Sequence, residues 1–435
     1  MQTKEKNTIK EKIYYKIKFT LASPLAIGDG SKYTTDKDIV RDSRGTPYIP
    51  ASAIAGVSRS MLLDDKDLIK KYFGKVDIND DITNSKKLES IESRLVFYDG
   101  RMSDTTKYHI SVRDNVALDE YKTAINSAKF DMEILEPGVE FTTYIEQNMY
   151  SDSDENVAYK IACLWLENKI HLGGKVMRGY GSIKNVSVSE KSFKLSEDGV
   201  LKWLSFDMYD DESWSDSKDI SCDDRYDSDT VSIVLKLKQN GGISIRKYTT
   251  KVSEIEGESL PDSEQLFVNI DNSEIPVLPG TSWAGAFSHR MKLLLPQCAK
   301  NDFFGCADKE EKVRSKIMFG ETQLVNAKPK VMTRNAIDRF SGGTANQALF
   351  TEQTYYGGEG ELQIEIRKEC LTPDVAKALA ATITDLNMGF LAVGGLTAIG
   401  RGLFNVTSIA IDGKSIDYEQ ENMYTSIVNE LGGTK

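Results

Sequence analysis

Two glycine-rich stretches hold the residue types best suited to chemistry in this chain. Leu172 to Val186 reads LGGKVMRGYGSIKNV, and Val393 to Val406 reads VGGLTAIGRGLFNV. Each runs Gly-Gly, four residues, Gly, one residue, Gly. Gly173 and Gly174 in one, and Gly394 and Gly395 in the other, permit positive φ and close approach of a ligand backbone. Lys175, Arg178 and Arg401 set positive charge beside them. Main-chain N–H groups flanked by cations suit the phosphates of a polyanion. No Lys-Ser or Lys-Thr follows as a mononucleotide P-loop requires, and the spacing is not the dinucleotide fingerprint. Singly, either stretch also serves as a tight hairpin turn. As a pair about 220 residues apart, they suit two consecutive segments of one polyanion.

Other chemistries are poorly represented. The three histidines, His109, His171 and His289, form no local metal pattern. The five cysteines (Cys163, Cys222, Cys298, Cys306, Cys370) are odd in number and lack a C-x-x-C. Reduced thiols in the cytoplasm are the expectation, with neither a disulfide framework nor a zinc site. The lysine-rich first twenty residues carry no signal-peptide pattern, and no apolar run approaches a membrane span. Net charge is −11. Residues 190–230 hold thirteen Asp or Glu against five Lys or Arg, so the rest of the chain is close to neutral. This stretch reads as an acidic, solvated linker or surface insertion, which leaves room for a basic groove elsewhere.

The elements that must position the glycine loops recur in one order on either side of that linker. KIYYKIKFTL puts Ile13, Tyr15, Ile17, Phe19 and Leu21 on one face and Lys16 and Lys18 on the other; VSIVLKLK repeats the alternation with Lys236 and Lys238. Both are half-buried strands. Then come Pro47-Tyr-Ile-Pro50-Ala-Ser52 and Pro276-Val-Leu-Pro279-Gly-Thr281, with Ser52 and Thr281 as expected helix N-caps. SRLVFYD matches SKIMFGE, Arg113…Asp119 matches Arg334…Asp338, and Phe130 matches Phe350. A helical stretch precedes each glycine loop. The order predicts an α+β protein of two tandem ferredoxin-like domains, 1–189 and 231–435, with 190–230 between them. The basic sheet faces are expected to be open.

The set IGDG…DKDIVRDSRGTPYIPASAIAGVSRSML, RNAIDRFSGGTANQALF and both glycine loops resembles the RAMP superfamily of CRISPR-associated proteins, and within it the backbone subunit of type III effector complexes, here as a tandem fusion. The resemblance covers both halves and spares the linker and tails. It implies a subunit that binds guide RNA (crRNA), complementary target RNA and sister effector subunits in antiviral defence, with no membrane. It also implies an inserted "thumb" hairpin near 113–133 and 334–356 that wedges between bases. Arg113, Arg334 and Arg339 would then contact RNA, and Ser52, Arg59 and Thr281 would meet the guide backbone. The family's basic residue before the helix glycine is replaced by Ala55 and Ala284, with Arg290 as a stand-in.

The same resemblance supplies a cutting residue. Counting back from Pro47 assigns the family's catalytic aspartate to Asp36, with Asp38 as the alternative; Mg2+ or another divalent ion is the implied cofactor. The same count from Pro276 lands on Gln265, with Glu264 adjacent and Asp262 close. A neutral amide is no base near pH 7, so one cleavage site, in the first domain, is expected. Two other readings share the fold. One is an RNA-binding subunit without cutting. The other is a guide-processing ribonuclease using Tyr33 or Tyr48, since His is absent from residues 1–108.

Overall fold

The computed structural model describes all residues except 1–7, 29, 31, 63–64, 77–89, 104–105, 119–123, 223–229, 248–260, 271–272, 296–302, 308–311 and 433–435. The first half runs β1 (Glu11–Leu21), α1 (Ala51–Ser60), β2 (Leu95–Phe97), β3 (Ile110–Leu118), β4 (Ala124–Leu135), β5 (Glu140–Met149), α2 (Val157–Leu166), β6 (Ile183–Lys194). After α3 (Glu197–Leu204), the second half repeats it as β7 (Thr230–Asn240), α4 (Gly280–Met291), β8 (Ile317–Phe319), β9 (Lys328–Ile337), β10 (Thr344–Tyr356), β11 (Glu359–Arg367), α5 (Pro373–Asn387), β12 (Leu403–Ile411).

The two main sheets share a strand order, β2-β5-β1-β6 and β8-β11-β7-β12, all antiparallel. This is the ferredoxin-like arrangement, with β3–β4 and β9–β10 as hairpins inserted between the second and third sheet strands. Even the irregularity is repeated: the ladder slips between Lys18 and Thr20 in one sheet and between Lys236 and Leu237 in the other.

Period-two alternation sends Ile13, Tyr15, Ile17, Phe19 and Leu21 into a core shared with Ile54 of α1 and Ile161 and Trp165 of α2. Phe19 packs on Trp165 with ring centroids 4.9 Å apart. In the second half Ile233, Leu235 and Leu237 meet Trp283, Phe287, Leu379 and Ile383. Asn156 caps α2 by accepting from the Tyr159 amide at 3.0 Å, and Thr372 caps α5, with Pro373 at the first helical position.

The chain forms two compact units, neither continuous in sequence. One is 1–111, 133–174 and 181–227; the other is 112–132, 175–180 and 228–435. Among the described residues no helix is long and apolar enough to cross a membrane.

The acidic stretch departs from expectation. Of the two alternatives, linker or surface insertion, the packing favours the insertion: α3 and the turns to residue 220 pack in the first unit. Phe193 and Trp214 join Tyr14 and Tyr144 of the sheet's outer face in a small aromatic cluster, flanked by Trp203, Phe206 and Met208. Aromatic area buried here outweighs the solvation of the intervening aspartates. The expected open basic face is therefore covered in part in this unit, with Lys18 still exposed. Lys16 is only 6% exposed and ion-paired with Asp211. Lys18 lies 3.5 Å from the same carboxylate. In the second unit Lys236 and Lys238 are exposed. A second departure is a disulfide between Cys163 of α2 and Cys222, which ties the end of the acidic segment to the core. Cys370 is a free thiol, as expected.

Each half turns into its last strand through a glycine with no room for a side chain. A Cβ on Gly181 would lie 1.8 Å from the Leu172 carbonyl oxygen, and one on Gly402 1.9 Å from that of Val393, both at φ +77°. Gly181→Ala and Gly402→Ala should each lower the stability of the unit concerned by at least about 2 kcal/mol in a urea titration. Unchanged midpoints would show that the turns can relax.

Candidate nucleic-acid interface

The glycine loops have one conformation in both halves: Gly173 and Gly394 at positive φ, then left-handed Lys175 and Leu396, a 3-10 turn, and left-handed Gly179 and Gly400. Their amides, however, are largely used within the fold. Gly174 N donates to Ala26 O at 2.7 Å, and Gly395 N to Ser244 O at 2.8 Å. Gly181 N and Gly402 N donate to Pro24 O and Gly242 O, both at 2.8 Å. The Arg178, Gly179, Ile399, Gly400 and Arg401 amides bond back within their own turns. The loops are therefore fasteners between the last strand and the segment after the first strand. The expected phosphate cradle of main-chain N–H groups is not their main role.

The cations beside them are similarly engaged. The Lys175 ammonium lies 4.6 Å from the centre of the Phe130 ring, and Arg178 donates to the Asn115 side chain at 3.4 Å. Arg401 is buried and bonded to Glu352 and the Tyr356 hydroxyl. Arg334 shares Glu352, with Nη2 2.6 Å from Oε1. Arg113, expected on RNA, is 6% exposed and forked onto the buried Glu321, its Nη2 3.2 Å from Oε1. Arg290 is held by Asp385 at 2.6 Å. Thus Arg113 and Arg401 are internal ion pairs rather than exposed contacts. Sequence inspection identified the arginines but not Glu321, Glu352 and Asp385, because partners distant in sequence leave no local pattern.

Arg339 is the exception. It sits exposed at the turn of β9–β10 beside a fully exposed Phe340. Asp338 builds that turn by accepting from the Phe340 and Ser341 amides at 2.9 and 2.7 Å. Phe340 was missed from sequence, although a lone aromatic inside the DRFSGG turn is a visible signal.

The helix starts are open in both halves. Pro50 and Pro279 occupy the N-cap positions, not Ser52 and Thr281. Proline presets the entry φ, and the Asp99 carboxylate accepts from the Ala51 amide at 2.8 Å, doing the cap's work from the segment after β2. Ser52 and Thr281 are thereby left exposed one residue into their helices, and Arg59 is exposed two turns further on. Gly56 and Gly285 lie between, and among the described residues nothing beyond the helix's own neighbouring backbone comes within 4 Å of a Cβ built on either.

The loop between β1 and α1 separates the two candidate carboxylates. Asp38 is buried. Its Oδ2 accepts from the Tyr33 and Thr34 amides at 2.5 and 3.0 Å, and its Oδ1 from the Thr35 amide and hydroxyl at 2.8 and 2.9 Å. The Thr34 amide above all, then the Thr35 hydroxyl and amide and the Tyr33 amide, overcome the opposing effect of burial and hold the carboxyl at about 2. Asp36, two residues earlier, is exposed. Downstream, Glu133 of β4 accepts from the Ile39 amide at 3.0 Å and pairs with Arg41. Asp38 thus folds the loop and Asp36 faces outward. Gln265 is buried: it accepts from the Ile245 amide at 2.8 Å and donates to the Leu266 and Val277 carbonyls, both at 3.1 Å.

Because the Asp38 carboxyl is lowered on folding, its contribution is present above the ordinary carboxylate pKa near 3.9 and lost as pH falls towards 2. Between pH 4 and 2 the wild type should therefore lose more thermal stability than Asp38→Asn. Parallel losses would deny the carboxylate its role in the loop.

No curated protein matches the chain in sequence. One solved structure that it resembles is a cryo-EM structure of the type III-B Cmr-beta bound to cognate target RNA. The alignment has 16% identity over 42% of this chain, with a TM-score of 0.32. It spans 60% of that chain, less than two thirds of its length. The RAMP superfamily pattern matches twice, over residues 18–184 and 236–405, each match running from the first sheet strand through the glycine loop into the last. The chain belongs to the RAMP superfamily and carries its domain in tandem.

Proposed function

We propose that this chain is a backbone subunit of a type III CRISPR effector complex that binds guide RNA and cuts complementary target RNA beside Asp36. The observation that carries the binding reading is the pair of open helix glycines. Glycine inside a helix costs roughly 0.5–1 kcal/mol relative to alanine. Among the described residues no packing contact requires glycine at either Gly56 or Gly285. A bare helix surface at the same place in both halves, beside exposed Ser52, Arg59 and Thr281, suits a polynucleotide backbone lying directly on it. Recognition of this kind reads phosphates and helical shape, leaving sequence to base pairing.

For cutting, the chain's part is to place a carboxylate beside a kinked strand. A ribose 2′-hydroxyl in line with its own phosphate needs a proton acceptor, and the exposed side chain of Asp36 is of the right type. Such a base supplies about 10²–10⁴-fold, and alignment of the reacting groups up to roughly 7–11 kcal/mol more. Among the described residues no three His, Cys, Asp or Glu side chains gather as a metal site. A divalent ion would thus rest on Asp36 together with phosphate oxygens of the RNA, a usual mode for Mg2+. When bound it would neutralise charge on the phosphate.

The test is the reconstituted complex with a complementary target, with and without Mg2+. Asp36→Ala should abolish cutting next to the first unit while target binding stays within about twofold. Full cutting next to the first unit by that variant would remove Asp36 from the reaction. Gly56→Ala should raise the melting temperature and weaken guide binding; unchanged binding would remove the helix surface from the interface.

A further inference from the structure

Counting back from the Pro-x-x-Pro sequence set Gln265 at the place of Asp36, and the structure corrects that register. In the first half Val40 N donates to Ile27 O at 2.8 Å; in the second Leu266 N donates to Ile245 O at 2.7 Å. Ile39 bridges Gly28, and Gln265 bridges Arg246. The upstream residues are tied independently, since Ala26 O and Ser244 O accept the equivalent glycine-loop amides, Gly174 and Gly395. Gln265 is therefore the counterpart of Ile39. The count failed because the following hairpin runs from Phe267 to Pro276 where the first half spans only Arg41 to Pro47. Stepping back from Gln265 pairs Glu264 with Asp38 and Asp262 with Asp36.

The surroundings agree with that pairing. Lys37 O accepts from Glu133 N of β4 at 3.0 Å, and Ser263 and Glu264 pair with Glu352 and Gln353 of β10, the matching strand. Asp262 is exposed, as Asp36 is. Its Oδ2 accepts from the Thr351 amide at 2.7 Å, and its own amide donates to Thr351 O at 2.8 Å, so the carboxylate is fixed to the base of the β9–β10 hairpin.

We propose that Asp262 is a second catalytic aspartate and that the chain cuts its target at two places. This rests on the reading of Asp36 given above. At each place the 2′-hydroxyl proton passes to the carboxylate and the 2′-oxygen lone pair forms a bond to phosphorus. The bond from phosphorus to the 5′-oxygen breaks, and that oxygen takes up a proton. The products are a 2′,3′-cyclic phosphate and a free 5′-hydroxyl, with no water or redox partner consumed.

The experiment is single-turnover cleavage of an end-labelled complementary RNA by the reconstituted complex, with product lengths resolved. Wild type should give two cuts. Asp36→Asn should suppress one and Asp262→Asn the other by at least about 100-fold, and the double variant both, with target binding within about twofold. Asparagine keeps an oxygen acceptor for the Thr351 amide, so the loss is not that of the loop's attachment. Glu264→Gln should keep both cuts. If Asp262→Asn retains both cuts while Asp36→Asn loses one, or if Asp36→Asn alone removes all cutting, the second site is overturned and the first stands. If the double variant cuts like wild type, the reading of Asp36 falls and this inference with it.

Discussion

In both halves the chain passes through a glycine whose α-carbon lies against its own backbone carbonyl, Gly181 on Leu172 and Gly402 on Val393. The same glycines donate their amides to Pro24 and Gly242, just past the central strands. One residue therefore locks the last sheet strand, the end of the helix-to-loop connection and the start of the loop that follows the first strand into one register. The adjoining bonds from Gly174 and Gly395 extend the lock to Ala26 and Ser244, two residues from where Gly28 and Arg246 pair across that loop. The positions of Asp36 and Asp262 follow from a steric condition that only hydrogen satisfies.

Several charges central to the fold are paired within it. Glu352, nearly inaccessible to solvent, holds both Arg334 and the buried Arg401; Glu321 holds Arg113; Asp211 serves Lys16 and Lys18. Such pairs fix hairpin and sheet geometry more than they add stability. Many cations among the described residues are exposed, Lys18, Arg59, Lys236, Lys238 and Arg339 among them.

Much of this was legible from residues alone. Strand alternation around Ile17 and Leu235, the spacing through Trp283 and Phe287, and the repeated order of landmarks led directly to two ferredoxin-like halves. What failed did so for physical reasons. The aromatics Trp203, Phe206 and Trp214 were masked by the acidic residues between them, so a packed segment read as solvated. Ser52 and Thr281 have good capping chemistry, but Pro50 and Pro279 start the helices first. Cys163 and Cys222 are 59 residues apart, and only the fold brings them together. Counting across a hairpin of unknown length misplaced Gln265, whereas hydrogen-bond register did not.

The interleaved make-up of the units has a consequence for how such a protein is born. The second unit needs residues 112–132 and 175–180, which leave the ribosome long before Glu321 and Phe319. Until those arrive, Arg113 has no counter-charge and the turn at Gly179 lacks the Phe319 carbonyl that it lies against. No single break in the gene yields two complete products. The nascent first half must wait, partly unfinished, for the second to be translated.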